Sequence, residues 1–396
     1  MSSYWSRRSL LAGTALLGLQ ILPRGASAQA KNTWTPAGSM NSPRDAFTIC
    51  VVAGKIIALG GRTTARGSTV RTTESYSLAN ALFAADKSMN TDRSFFPVVP
   101  LKDSGKVLVV GGFSGRSGTI KDVEVFNTAA GDWSTVGSLN AARELLTATL
   151  LPDGQVLAAG GFSNGAILDS AELYNPGTEK FTYTGSMKVS RHGHTATLIP
   201  TMPVNALAGQ VLVMGGRTSK DVSLDSTEVY DPSKAAWSAG PKLVQDRFRQ
   251  TATVLQDGRI LIIGGYSSVK SATLDTAEIY DPALNSFSLL TSKMVDGRMD
   301  HTATLLPDGR VLVAGGWSSA VKNTDGSLGS TVASVDIFDP AKSTFSAVAA
   351  LPVSRHEHAA ALITLADGMP AVLVAGGLHW EPALHQTLKD AWIYTP

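Results

Sequence analysis

Apolar residues fall along this chain in short runs, broken by paired glycines and by Asp-Gly or Asp-Pro signals. Residues 298–351 show the unit whole. Arg298 is followed by His301-Thr-Ala-Thr-Leu-Leu306, a Pro307-Asp308-Gly309 turn, and Arg310-Val-Leu-Val-Ala-Gly315-Gly316. After a loop come Ser334-Val-Asp-Ile-Phe338, an Asp339-Pro340 turn, and Thr344-Phe345 leading to Leu351. Runs this short, joined by such turns, predict an antiparallel meander of four strands. The paired glycines end the second strand, where a side chain would obstruct the backbone.

The unit recurs. Diglycines stand at residues 60, 111, 160, 215, 264, 315 and 376, at intervals of 51, 49, 55, 49, 51 and 61. One four-stranded sheet cannot bury both faces, but seven around an axis can. A period near fifty therefore predicts an all-β, seven-bladed β-propeller with kelch-type blades over residues 29–396. Closure is legible too. Residues 392–396 (Trp392-Ile-Tyr394-Thr-Pro396) form a third strand with no fourth after it, and residues 33–40 form a fourth strand with nothing before it. The N-terminal strand is expected to close blade seven, leaving no orphan edge.

A repeat supplies its own control: what recurs in every blade belongs to the fold, and what is confined to one blade needs another explanation. Arginine opens the inner strand of every unit, at Arg44, Arg93, Arg143, Arg191, Arg247, Arg298 and Arg355. An acid sits in the third strand of six units, at Glu74, Glu124, Glu172, Glu228, Glu278 and Asp336. The two positions share one end of the sheet, which predicts a ring of Arg–carboxylate pairs. The competing expectation is a basic rim that captures an acidic ligand. Trp392 stands where blade seven's acid should be, so Arg355 is expected to lack a partner and to be the arginine most available to a ligand.

Five of seven histidines collect nearby. His356 and His358 follow Arg355, His379 and His385 lie beyond the last diglycine, and His301 opens blade six. They are expected to converge on the face bearing the arginines, beside Trp317 and Trp380, where amphipathic rings would suit a sugar or an extended peptide. With Glu357 or Glu381 they could serve acid–base chemistry, or hold zinc or copper. His192 and His194 belong to blade four, across the ring.

Composition narrows the partners. The 34 basic and 32 acidic residues leave a formal charge of +2 with no block of either sign, which excludes the basic footprint of a nucleic-acid binder. One cysteine, Cys50, among apolar neighbours, excludes a disulfide framework or a thiolate-rich metal site. The first residues read differently from the rest. Ser6-Arg7-Arg8-Ser9-Leu10-Leu11 opens an apolar run to Leu22, followed by Ala26-Ser27-Ala28. That is a signal peptide of the twin-arginine type over residues 1–28, predicting export to the periplasm or beyond and no membrane anchor after cleavage. Losing Arg7, Arg8 and Arg24 with it takes the charge from +2 to −1.

On its diglycines, inner-strand arginines and Glu-x-Tyr third strands, the chain resembles the kelch-repeat and galactose-oxidase propeller superfamily. Its copper-radical members carry a tyrosine, cross-linked to cysteine, two places after the inner-strand arginine. Here those places hold Ala46, Phe95, Leu145, Gly193, Arg249, Asp300 and Glu357, which argues against that mechanism although His301 matches a copper-ligand position. Two expectations remain. One is an exported module that binds a glycan, an acidic small molecule or a protein partner. The other is a carbohydrate-active enzyme at blades six and seven, as in sugar mutarotases of similar fold, with a bound transition metal as a further option.

Overall fold

The computed structural model describes residues 31–63, 68–202, 205–218, 221–323, 325–381 and 384–396. The export signal read in residues 1–28 lies outside the described residues. Strands alone build the rest: seven four-stranded antiparallel sheets arranged as propeller blades. In blade one the strands Thr48–Val52, Lys55–Leu59, Thr73–Ser77 and Leu82–Ala85 follow one another outward from the axis. Blades two to six repeat that order. Blade seven runs Ala359–Thr364, Pro370–Ala375 and Asp390–Thr395, and its outer strand is Thr33–Ser39. Trp34 faces Tyr394 and Pro36 faces Trp392, so the two ends of the chain close the ring as expected.

Aromatic pairs mark the outer half of every blade. Tyr174 meets Phe181 at 5.1 Å between ring centroids, and Tyr280 meets Phe287 at 5.0 Å. Blade seven makes the same pair from opposite ends of the sequence, Trp34 with Tyr394 at 5.1 Å. Apolar second strands such as Val107–Val110 and Ile260–Ile263 are fully buried on both faces. They feed apolar clusters between adjacent blades, among them Ile57, Val107 and Phe126 between blades one and two, and Ile56, Ala371 and Leu373 between blades one and seven. The hydrophobic drive is thus spread around the ring, and each blade buries its faces only through its neighbours.

The diglycines let neighbouring backbones touch. Gly315 and Gly316 hold φ of +61° and +114°, and a Cβ on Gly315 would lie 2.6 Å from the Arg355 carbonyl of the next blade. Gly316 N–H donates to that carbonyl at 2.8 Å. Only glycine combines that φ with that approach.

Candidate functional site

All seven inner-strand arginines are completely buried. Arg143 is typical. Its Nη1 donates to the carbonyls of Gly160 and Ser170, both at 2.9 Å, and its Nη2 lies 2.7 Å from Glu172 Oε1. The guanidinium thereby ties the diglycine to the third strand. Arg44, Arg93, Arg191, Arg247 and Arg298 repeat the arrangement with Glu74, Glu124, Glu228, Glu278 and Asp336. A solvent-facing basic rim is therefore ruled out for these side chains, because none of them has any exposed surface and each is paired with a carboxylate inside its blade.

Arg355 corrects the sequence reading most sharply. It has a carboxylate partner, Asp390, at 2.8 Å. The acid has moved two residues back along the third strand, to the place held by Ser170 or Ser334 in other blades. Trp392 Nε1 donates to the same Asp390 oxygen at 2.5 Å. Arg355 is as buried as the other six and is not available to a ligand.

The histidines do not converge. His301 and His358 lie three residues past their arginines, both about 95% buried. Each wedges against the preceding blade: His301 packs on Gly264 with Nε2 3.0 Å from Thr251 Oγ1, and His358 packs on Gly315 with Nε2 2.9 Å from Thr302 Oγ1. His194 does the same beside Thr147. Other blades fill the position with Phe47, Phe96, Leu146 and Gln250, which makes it an inter-blade wedge and part of the fold. Burial pushes His301 down to about 3 and His194 and His358 well below the ordinary imidazole value. His379 Nδ1 sits 2.8 Å from Ser354 Oγ, and its partner across the hairpin is Gln386. His385 pairs with Trp380 on the other face of that hairpin, the rings stacked at 5.2 Å. Trp317 lies over Gly329 within blade six's hairpin. Of the proposed cluster, His358 reaches the axis and His356 stands beside it, next to Glu357. Among the described residues, no three His, Cys, Asp or Glu side chains are placed to hold a metal ion.

The axis itself carries the chemistry. Two residues past each arginine, Ala46, Phe95, Leu145, Gly193, Arg249, Asp300 and Glu357 all adopt left-handed φ between +49° and +60°. Each N–H donates to the carbonyl of the preceding member at 2.8–3.3 Å, and Ala46 N–H closes the circle on Glu357. Seven identical backbone turns thus deliver seven different side chains to a common centre. They wall an axial cavity of about 300 Å³ together with residues that follow them into the inner strands, including Thr48, His194, Gln250 and His358.

One arc of this ring is apolar (Ala46, Phe95, Leu145, Gly193) and the other is charged. Arg249 Nη1 bridges Asp300 at 2.7 Å and Glu357 at 3.1 Å. Arg62, directly after the first diglycine, bonds Glu357 and reaches Asp45 at 2.6 Å. Both guanidiniums lie near the Phe95 ring, 4.7 Å for Arg62 and 5.9 Å for Arg249. Burial raises Asp45 to about 6 against the pull of Arg62, and burial also raises Asp300. Burial works to raise Glu357 as well, but Arg249, His356 and Arg62 hold it below the ordinary value. Burial lowers neighbouring His356 against the opposing pull of Glu357 and Asp300. Cys50 stays inert in its strand, its thiol pushed up to about 12 by burial.

Sequence reasoning passed over Arg62, Asp45, Arg249 and Asp300 as ligand groups. For Arg249 and Asp300 the available signal was that residues two past the arginine differ in every blade while the arginine never does.

The comparisons with known proteins agree with this architecture. Kelch motifs match residues 103–140, 147–188, 201–243 and 247–294, in blades two to five. No curated protein matches the chain in sequence. Among solved structures it is similar to a fungal alcohol oxidase of the AA5 family determined in complex with copper, at 17% identity and a TM-score of 0.67, over 93% of this chain and 77% of that one. Likeness at that identity concerns the fold. The residues on this axis, two guanidiniums and three carboxylates already paired among themselves with no tyrosine on the ring, do not fit a copper-radical centre.

Proposed function

We propose that this kelch propeller is a small-molecule binding module whose ligand sits in the axial cavity. The observation that supports the reading is the contrast around the ring. Seven equivalent positions share backbone geometry, yet three adjacent ones carry Arg249, Asp300 and Glu357, half-buried and cross-linked between blades five, six and seven. Desolvated ionic groups are costly to keep, and the apolar arc demonstrates that the fold does not require them. A cavity of about 300 Å³ is at the small end of the range for organic ligands, roughly 300–1,000 Å³. The reading favours a small organic molecule over an extended glycan or a protein partner. The address in residues 1–28 would place that binding outside the cytoplasm; undiminished export after Arg7→Lys and Arg8→Lys together would argue against the twin-arginine route.

The carboxylates support an enzymatic alternative at the same place. Asp45 and Asp300 are pushed up while Glu357 is held down, a division that acid–base catalysis uses. One experiment addresses both. Leu145→Trp fills the cavity from the apolar arc without touching a charge. Screening a metabolite library by thermal shift should find ligands that raise the melting temperature of the wild type and not of Leu145→Trp. Ligands that stabilise both proteins equally would move the site off the axis. Conversion of such a ligand, followed by NMR, would favour the enzyme.

A further inference from the structure

The ring predicts more about the ligand than its size. We infer that the axial cavity selects an organic ammonium ion with a compact apolar body, the nitrogen seated against Asp300 and Glu357 and the body against Phe95 and Leu145. This rests on the axial cavity being the binding site.

Charge is the first argument. The bonded network sets two guanidiniums, Arg62 and Arg249, against three carboxylates, Asp45, Asp300 and Glu357, one negative charge in excess. Glu144 stands within the field of both guanidiniums and adds to the excess. A ligand carboxylate would enlarge that imbalance in a half-buried space, whereas an ammonium ion would neutralise it. Burial raises Asp45, Asp300 and Glu144, and at Asp45 and Asp300 the neighbouring Glu357 carboxylate adds to the rise.

Hydrogen-bond polarity is the second, independent argument. Gln250 lines the cavity and is 94% buried, and its amide nitrogen donates to the Met214 carbonyl at 2.9 Å. Its side-chain oxygen has no partner among the described residues. A buried acceptor without a donor costs about 1–3 kcal/mol. Arg249 Nη1 on this wall already points at Asp300 and Glu357. An ammonium group brings three N–H donors and no acceptor, which suits Gln250 Oε1 and the carboxylate oxygens together.

Shape is the third. The charged arc faces Ala46, Phe95, Leu145 and Gly193 across the same cavity, so the charged contacts lie on one side. A polyol with hydroxyls on every edge would leave donors unpaired against Phe95 and Leu145. An aryl or short alkyl group would not.

The test is isothermal titration calorimetry of the full-length chain with three probes of one shape: benzylammonium, benzyl alcohol and benzoate. Benzylammonium should bind at one site, at least tenfold tighter than benzyl alcohol, with benzoate weakest. Asp300→Asn should weaken benzylammonium at least tenfold and leave benzyl alcohol within about threefold. Benzoate or benzyl alcohol binding more tightly than benzylammonium, with that binding lost in Leu145→Trp, would overturn the ammonium assignment and leave the axial cavity standing. Failure of benzylammonium to bind overturns it as well. Benzylammonium binding that survives Leu145→Trp would overturn both assignments.

Discussion

Arg247 and Arg249 stand two residues apart in blade five and do unrelated work. Arg247 is completely buried, reaches Glu278 of its own blade at 2.6 Å, and has a counterpart in all six other blades. Arg249 is on the axis, spans to Asp300 and Glu357 of the next two blades, and has no counterpart. The difference teaches how a repeat separates fold from site. The arginine shell solves a problem each blade has in common: tying the diglycine end of strand two to strand three. The axial ring solves its own problem, closure about the axis, with backbone hydrogen bonds alone. Its side chains are left free to differ.

The largest effect that would break this contrast is on stability. Removing one partner of a buried pair leaves the other charge uncompensated, so Arg247→Ala should cost about 3–5 kcal/mol in urea denaturation. Asp390→Ala should act in the same direction through Arg355, and a neutral result there would restore the idea that blade seven's arginine is unpartnered.

Next comes acid sensitivity, which belongs to the wedge position between the two. His301 is neutral in the fold, at about 3, and titrates near 6.5 when unfolded. The unfolded chain therefore binds the proton first, and stability present above about 6.5 is lost as pH falls, by about 2–3 kcal/mol at pH 4.5 for this group. His194 and His358 add to the same slope. Asp45, raised to about 6, opposes it, since its folded form gains the proton first as pH falls below 6. Burial also lowers His192, to about 4, and His356, and raises Glu144, Asp300 and Asp336; five lowered imidazoles outweigh four raised carboxyls, so the melting temperature should drop between pH 7 and 4.5. His301→Gln, which copies Gln250 of blade five, should flatten that limb while leaving the melting temperature at pH 7.5 nearly unchanged.

The smallest effects are expected from the ring's backbone. Ala46 holds φ of +49°, where a Cβ costs about 1 kcal/mol. Ala46→Gly should be neutral or stabilise by less than about 1 kcal/mol, because glycine's greater unfolded freedom offsets part of the relief. Gly193→Ala should destabilise by about 1 kcal/mol, since φ is +60° and the nearest atom to the new Cβ, Arg249 Cγ, is an ordinary contact at 3.5 Å.

Much of this molecule was legible in its sequence because the repeat states each structural rule seven times. Blade number, strand order, the arginine–carboxylate pairing and closure by residues 33–39 all follow from such repetition. The site was less legible for a local reason. Strand alternation puts residues two apart on one face, so Arg249 reads as a neighbour of Arg247. The left-handed turn at the second residue turns it to the axis instead. His301 and His358 were read as ligands because histidine invites that reading, yet Phe47, Phe96 and Leu146 at the same place already marked an inter-blade wedge. Asp390 was missed because the third-strand pattern fixed attention on the position of Trp392, and a carboxylate two residues earlier still reaches the guanidinium along the same strand face.

The measurement that bears most directly on the division between shell and ring is a side-by-side comparison of Arg247→Ala and Arg249→Gln, following urea denaturation and the thermal shift produced by benzylammonium. Arg247→Ala should lose about 3–5 kcal/mol of stability. Arg249→Gln should lose less, because its side chain and those of Asp300 and Glu357 keep 10–23% of their surface exposed and water can partly resolvate the two carboxylates it leaves, while its ligand response changes by tenfold or more. Equal losses of stability in the two variants, with the ligand response of Arg249→Gln intact, would contradict the account.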